Sequence, residues 1–227
     1  MLDLAGPPTL YRAFAQLNLA DAKLASLRHS IGAGEPLNPE IIKIWKDNTG
    51  TLIHDGYGQT ETTNLVANYR CLPICPGSMG KPCPGYEIDI IDDDGNRLAP
   101  GEEGSIGVSI SPVRPTGLMT GYWLDEEATA QAMRNGWYYT GDKATKDADG
   151  YIWFLGRNDD VITSSAYRIG PFEVESALIE HPAVMESAVV GKPDPERTQI
   201  VKAYVILAAG YSGTPELVAE LQDHVKK

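Results

Sequence analysis

The chain has 227 residues, 42% of them hydrophobic and 22% charged, enough to bury a real core as one large domain or two small ones. Its formal net charge of −12 argues against nucleic acid or an anionic membrane surface as the main partner, because both require a basic patch. The opening MLDLAGPPTLYRAF has no basic n-region and no long apolar core, and no stretch reaches membrane-spanning length, so a soluble, cytoplasmic protein is expected. Cys71, Cys75 and Cys83 are odd in number and lie in a proline-rich stretch without CxxC spacing, which reads as free thiols in a reducing compartment and not as a metal site.

Residues 1–70 alternate helix and strand signals. Helical spacing covers Pro8–Leu17 and Asp21–His29, with Asp21 as a candidate N-cap. Ser30–Gly34 reads as a short buried strand. Asn38 and Pro39 open a helix through Asp47, the asparagine as cap and the proline in the first turn. Thr51–His54 is a second short strand running into a glycine turn. Two core strands are too few for a complete parallel sandwich, so this α/β segment is expected to be the tail of a larger domain.

Residues 71–156 are rich in glycine, proline and short alternating strands. Period-two patterns mark Tyr86–Asp92 and Gly104–Ser111, and Asp93–Asn96 and Asp147–Gly150 are turn signals. A small β-barrel or sheet subdomain follows, with one helix at Glu126–Met133. The carboxylates at 92–94 read as a solvated hairpin tip. Gly77–Lys81 is no phosphate loop, because its glycine spacing is wrong and Pro82 stands where Ser or Thr is needed. After Arg157 come a serine-rich loop, a helix from Pro171 to about Glu180, strands at Glu186–Val190 and Val201–Leu207, and a last helix capped by Thr214. That is a small α+β module. His181, before a proline at a helix end, reads as structural.

Two motifs carry chemistry. Asp55–Glu61 reads DGYGQTE. There Tyr57 can stack on a base, Thr60 can hydrogen-bond a phosphate, and Glu61 offers an oxygen ligand suited to Mg²⁺. Tyr138–Glu175 reads YYTGDKATKDADGYIWFLGRNDDVITSSAYRIGPFEVE. It sets Asp142 on a glycine turn, where a carboxylate can accept both hydroxyls of a ribose, and places Arg157 and Arg168 as local cations for a polyanion such as ATP.

In their order and spacing these motifs resemble the adenylate-forming acid–CoA ligases, closest to the medium-chain acyl-CoA synthetase branch, from Pro7 to the last residues. The resemblance implies a truncated adenylate-forming enzyme fold, α/β with a β-barrel subdomain and a small α+β C-terminal domain. Residues 1–156 would be the C-terminal part of the large domain (α/β over 1–70, β-rich over 71–156), 157–161 the hinge around Asp159, and 162–227 a truncated small domain. It also implies ATP or AMP, Mg²⁺ and coenzyme A as cofactors and a small carboxylic acid as substrate. Gly34, Glu35 and Pro36 would edge the adenine, with Asp55, Gly56, Tyr57, Gly58, Gln59 and Thr60 lining the nucleotide and Glu61 holding the metal. Asp142 and Arg157 would take the ribose and Arg168 the α-phosphate, while Ser165, Ala166 and Tyr167 flank the pantetheine passage. Thr60, Glu61 and Arg168 are the expected catalytic residues.

Relatives that use acetate carry tryptophan at the position of Gly58, so glycine implies an open acyl pocket for a medium-chain or aryl acid. Ala166 departs from the glycine frequent there. The family's phosphate-gripping loop ending in Pro-Lys and its C-terminal lysine find no counterpart here, so AMP binding without ligase turnover is expected of this chain. Truncated sheet edges would favour homo-oligomers. The alternatives are an adenylation domain that loads a carrier protein and a non-catalytic nucleotide-binding fragment.

Overall fold

The computed structural model describes residues 2–15, 17, 19, 22, 24–158, 160–165 and 167–226. The chain divides into two compact units, Met1–Phe154 and Leu155–Lys227. The first begins with β1 (Leu2–Gly6), α1 (Pro8–Ala15), β2 (Leu27–Ala33), α2 (Pro39–Thr49), β3 (Ile53–Gly58), β4 (Asn64–Ala67) and β5 (Lys81–Pro82). These strands form a five-stranded sheet in the order β1-β2-β3-β4-β5. The β1–β2 and β2–β3 pairs are parallel, and β3–β4 and β4–β5 antiparallel.

One face of this sheet is packed by the two helices through Tyr11, Leu37, Ile41, Ile42, Trp45 and Ile53. Burying polar atoms in that layer requires partners. The Tyr11 hydroxyl donates to Ile31 O at 2.8 Å, and Trp45 Nε1 donates to Ser30 Oγ at 3.0 Å. The cap of α2 forms as its sequence dictates, with Asn38 Oδ1 accepting from Glu40 N at 2.7 Å and proline in the first turn.

The sequence reading differs in three places here. The stretch expected to be helical up to His29 turns at residues 25 and 26 and enters β2 at Leu27, and its candidate cap Asp21 lies outside the described residues. Over so short a stretch, apolar spacing does not separate a helix from a strand. The sheet has five strands where two were expected, because β1 is a five-residue run with little periodicity. Asp55–Gly58 belong to β3 and not to a turn after it.

The chain continues with β6 (Ile88–Ile91), β7 (Gly104–Ser109), α3 (Glu126–Ala132), β8 (Met133–Arg134), β9 (Trp137–Lys146) and β10 (Ile152–Arg157), the last of which begins in the first unit and ends in the second. The second sheet runs β10-β9-β7-β6, with β8 beside β9. An isolated bridge between Gly80 and Ile152 links it to the first sheet. Residues from both sheets enclose one core, including Leu65, Val66, Ile90, Ile106, Val108, Tyr138 and Ile152. The expected turn at Asp92 forms, and the carboxylate accepts from Asp94 N, Asn96 N and Asn96 Nδ2, which holds it below the usual carboxylate range.

The second unit contains β11 (Ile162–Ser164), β12 (Tyr167–Ile169), α4 (Pro171–Ile179), β13 (Val184–Asp194), β14 (Thr198–Leu207) and α5 (Pro215–His224), with strand order β12-β11-β14-β13. Its core is Ile162, Leu178, Val184, Val189 and Leu221. Thr214 caps α5 by accepting from Leu217 N. His181 is buried. Its Nδ1 accepts from Ala183 N and its Nε2 lies 3.2 Å from Glu220 Oε1, the contacts of a structural histidine. The expected serine-rich loop is instead the β11–β12 hairpin, with Arg168 on β12 paired to Thr163 on β11. No helix among the described residues is long and apolar enough to cross a membrane.

Candidate functional site

The parallel strands β2 and β3 end side by side, with Gly32 opposite Asp55 and Ala33 opposite Gly56. Carboxyl ends of parallel strands are where open α/β sheets place ligands. Gly34 follows β2 at φ +99, a conformation that a side chain strains, and turns the chain into Glu35 and Pro36. Glu35 is exposed, but it is held by Thr9 Oγ1 at 2.6 Å and by Arg12 Nη2 at 3.2 Å. Asp55 Oδ1 is sealed from solvent without a hydrogen-bond partner. Burial pushes this carboxyl up to about 7, against the opposing effect of the Gly56 N–H.

The second half of the site comes from β9. Its register against β7 slips between Ser105 and Gly107, so that Ser105 faces Lys143 and Gly107 faces Tyr139. Two extra residues therefore bulge from β9 around Gly141, whose φ is +80. A bulge re-aims a side chain that regular pleating would direct elsewhere. Here that side chain is Asp142, which is buried with 5% of its surface exposed.

Two donors from distant sequence meet it. The Tyr57 hydroxyl donates to Asp142 Oδ2, and Gln59 Nε2 donates to the same oxygen at 2.9 Å. The second Gln59 amide hydrogen goes to Thr140 O at 2.8 Å, and Gln59 Oε1 accepts from the Tyr138 hydroxyl at 2.9 Å. Thr140 Oγ1 accepts from Asp142 N at 3.2 Å and donates to Ile106 O at 3.1 Å. Burial, reinforced by the Asp142 charge, raises the Tyr57 phenol far above its ordinary range, so it remains a donor. Burial likewise raises Tyr138.

Gln59–Thr63 follow β3 as a turn, in which Gln59 N donates to Thr62 Oγ1 at 3.0 Å and Thr62 N to Gln59 O at 3.1 Å. Thr60 is exposed on this turn. Glu61 Oε1 accepts from the Tyr122 hydroxyl at 3.2 Å, and its backbone oxygen accepts from Met119 N. Among the described residues no group of three or more His, Cys, Asp or Glu side chains could hold a metal ion. A single carboxylate remains compatible with Mg²⁺ that arrives on phosphate oxygens, because that ion keeps most of its shell from water and substrate.

Gly58 is exposed, and a Cβ at this position would run into the Thr63 carbonyl oxygen, so the tight return of the chain from β3 requires a glycine here on its own account.

Arg157 and Arg168 are exposed in the second unit, as are Ser165 and Tyr167. Ser165 sits at the tip of the β11–β12 hairpin with φ +56, and its N–H donates to Arg197 O. Asp159 and Ala166, the expected hinge and pantetheine positions, lie outside the described residues.

Of the residues that meet here, the sequence reading named Asp142, Tyr57 and Gln59 as candidates and gave no role to Tyr138, Thr140 or Tyr122. Tyr138 opens the same run that carries Asp142, opposite Val108 of β7.

Residues 3–123 match the family described as AMP-binding enzyme, and residues 173–227 match the AMP-binding enzyme C-terminal domain. The acyl-coenzyme A synthetase ACSM3, mitochondrial, of Rattus norvegicus is 50% identical over 222 residues, which is 97% of this chain and 38% of that protein. The 4-hydroxybutyrate–CoA ligase 1 of Metallosphaera sedula is 53% identical over 221 residues, covering 97% of this chain and 39% of that protein. The crystal structure of the anthranilate CoA ligase AuaEII in complex with anthranoyl-AMP superposes with a TM-score of 0.89 at 37% identity, covering 99% of this chain and 43% of that one. The chain thus spans about two fifths of the length of the relatives it matches.

Proposed function

The chain belongs to the AMP-binding enzyme family, and we propose that the whole protein of which it is a part is an AMP-forming acid–CoA ligase. In this reading a carboxylic acid reacts with ATP to give an acyl-adenylate and pyrophosphate, and the acyl group then passes to the thiol of coenzyme A. The observation that carries it is the buried Asp142 carboxylate, met by Tyr57 and Gln59 from more than eighty residues away. A carboxylate oriented by fixed donors suits the two hydroxyls of a ribose. Glu61 is proposed as the contact to Mg²⁺ carried on the phosphates.

The remaining roles rest on the resemblance in sequence: Gly34–Pro36 and Asp55–Thr60 for the nucleotide, Arg157 for ribose, Arg168 for the α-phosphate, Asp159 for the hinge, and Ser165–Tyr167 for pantetheine. Of the acid we propose a medium-chain or aryl substrate, supported by the acyl-CoA synthetase and anthranilate ligase names among the relatives. With Gly58 explained by its backbone contact, the size of the acyl pocket draws no support from that residue. A cytoplasmic location is proposed from composition, although several relatives are named as mitochondrial.

Calorimetric titration of the chain with AMP tests the reading. Saturable binding is expected, weakened about tenfold to a hundredfold by Asp142→Ala, the range for a lost charge-assisted hydrogen bond. A thermal melt of Asp142→Asn, which keeps the shape, separates binding from folding. Equal AMP affinity in the parent and both variants would overturn the ribose assignment.

A further inference from the structure

Resting on that reading, we propose that Tyr138 and Gln59 are positioning residues for ribose recognition, holding the Asp142 carboxylate in one orientation. Tyr138 is 1% exposed, and its ring is packed among Ile106, Val108 and Leu118, so core packing fixes where its hydroxyl lies. That hydroxyl donates to Gln59 Oε1, which leaves Gln59 Nε2 facing two acceptors, Thr140 O and Asp142 Oδ2. Rotating the amide by half a turn would set Oε1 against both of those oxygens. The amide therefore has one satisfied orientation, and the Tyr138 hydroxyl is the contact that closes it.

The effect reaches the ligand through geometry. Tyr57 and Gln59 both donate to Oδ2, and two donors on one oxygen fix the plane of the carboxylate. A vicinal diol needs acceptors at a set separation and angle, whereas the base and phosphate do not use this group. Loosening Gln59 should therefore weaken diol recognition selectively. Neither residue touches the ribose in this proposal; both act through Asp142.

The test compares AMP with 2′,3′-dideoxy-AMP on the parent chain and on Tyr138→Phe. Phenylalanine keeps the packed ring and removes only the hydroxyl. AMP affinity is expected to fall about threefold to tenfold in Tyr138→Phe, with dideoxy-AMP affinity unchanged. Equal losses for both ligands, or no loss for AMP, would overturn the proposal.

A nucleotide-free measurement stands beside it. Side-chain amide exchange of Gln59, read by NMR, should be slow in the parent and faster in Tyr138→Phe at equal melting temperature. Unchanged exchange would overturn the positioning contact. A parent chain that binds no AMP would overturn the nucleotide reading, and the ribose role with it, whatever the exchange data show.

Discussion

Burial sets the ionisation of Asp55, and through it a pH dependence of stability. Its carboxyl moves from 3.8 to about 7 because desolvation outweighs the single backbone N–H at Gly56. Between those values the folded chain binds a proton that the unfolded chain has released. Stability from this group is thus complete below about 3.8 and is lost as pH rises through about 7. A shift of this size corresponds to a ceiling of about 4 kcal/mol, less in practice because the residue keeps part of its surface in water even though Oδ1 does not. Asp55→Asn is neutral throughout. Urea midpoints should therefore fall more steeply between pH 5 and pH 8 for the parent than for the variant, and the variant should be the more stable at pH 8. Parallel profiles would mean that the carboxylate finds a partner once charged.

At the scale of elements, the β3–β4 connection decides how Gly58 is to be understood. The register of the pair slips between Tyr57 and Gly58, and the chain returns so tightly that a Cβ at 58 would meet the Thr63 carbonyl. Gly58→Ala should destabilise the chain by about 1–3 kcal/mol, the cost of forcing a methyl group into a packed backbone. Were the glycine there only to keep a pocket open, the change would lie within about 0.5 kcal/mol, as at an uncrowded surface site. Chemical denaturation distinguishes the two.

The same contrast shows what was legible in the sequence. Local signals held: Asn38 with Pro39, Thr214 with Pro215 and the turn at Asp92 all formed, because each is decided by a few neighbouring atoms. Signals that depend on a distant partner failed. Leu27–His29 became strand because β1 pairs with it, and Arg168 entered a hairpin that a serine-rich stretch does not announce. The bulge that aims Asp142 arises from pairing with β7, so the motif was readable while its contacts with Tyr57 and Tyr138's hold on Gln59 were not.

Across the whole molecule, unsatisfied surface and net charge pull in opposite directions. The parallel part of the first sheet has helices on one face, and on its strands Leu2 is 57% and Ile31 38% exposed. Parallel sheets are ordinarily buried on both faces, and β1 presents an open edge. In the second unit Tyr204 and Ile206 are both more than half exposed on β14. Such surface favours self-association, while a net charge of −12 opposes it by repulsion between copies. Repulsion is screened over about 10 Å at 0.1 M salt and about 3 Å at 1 M, whereas apolar contact is not weakened by salt. Sedimentation of the chain should therefore show association that grows with protein concentration and strengthens as sodium chloride is raised. Association that weakens with salt would place ion pairs at the contact instead. A sharp monomer at every salt concentration would mean that the exposed strands find no partner in a second copy.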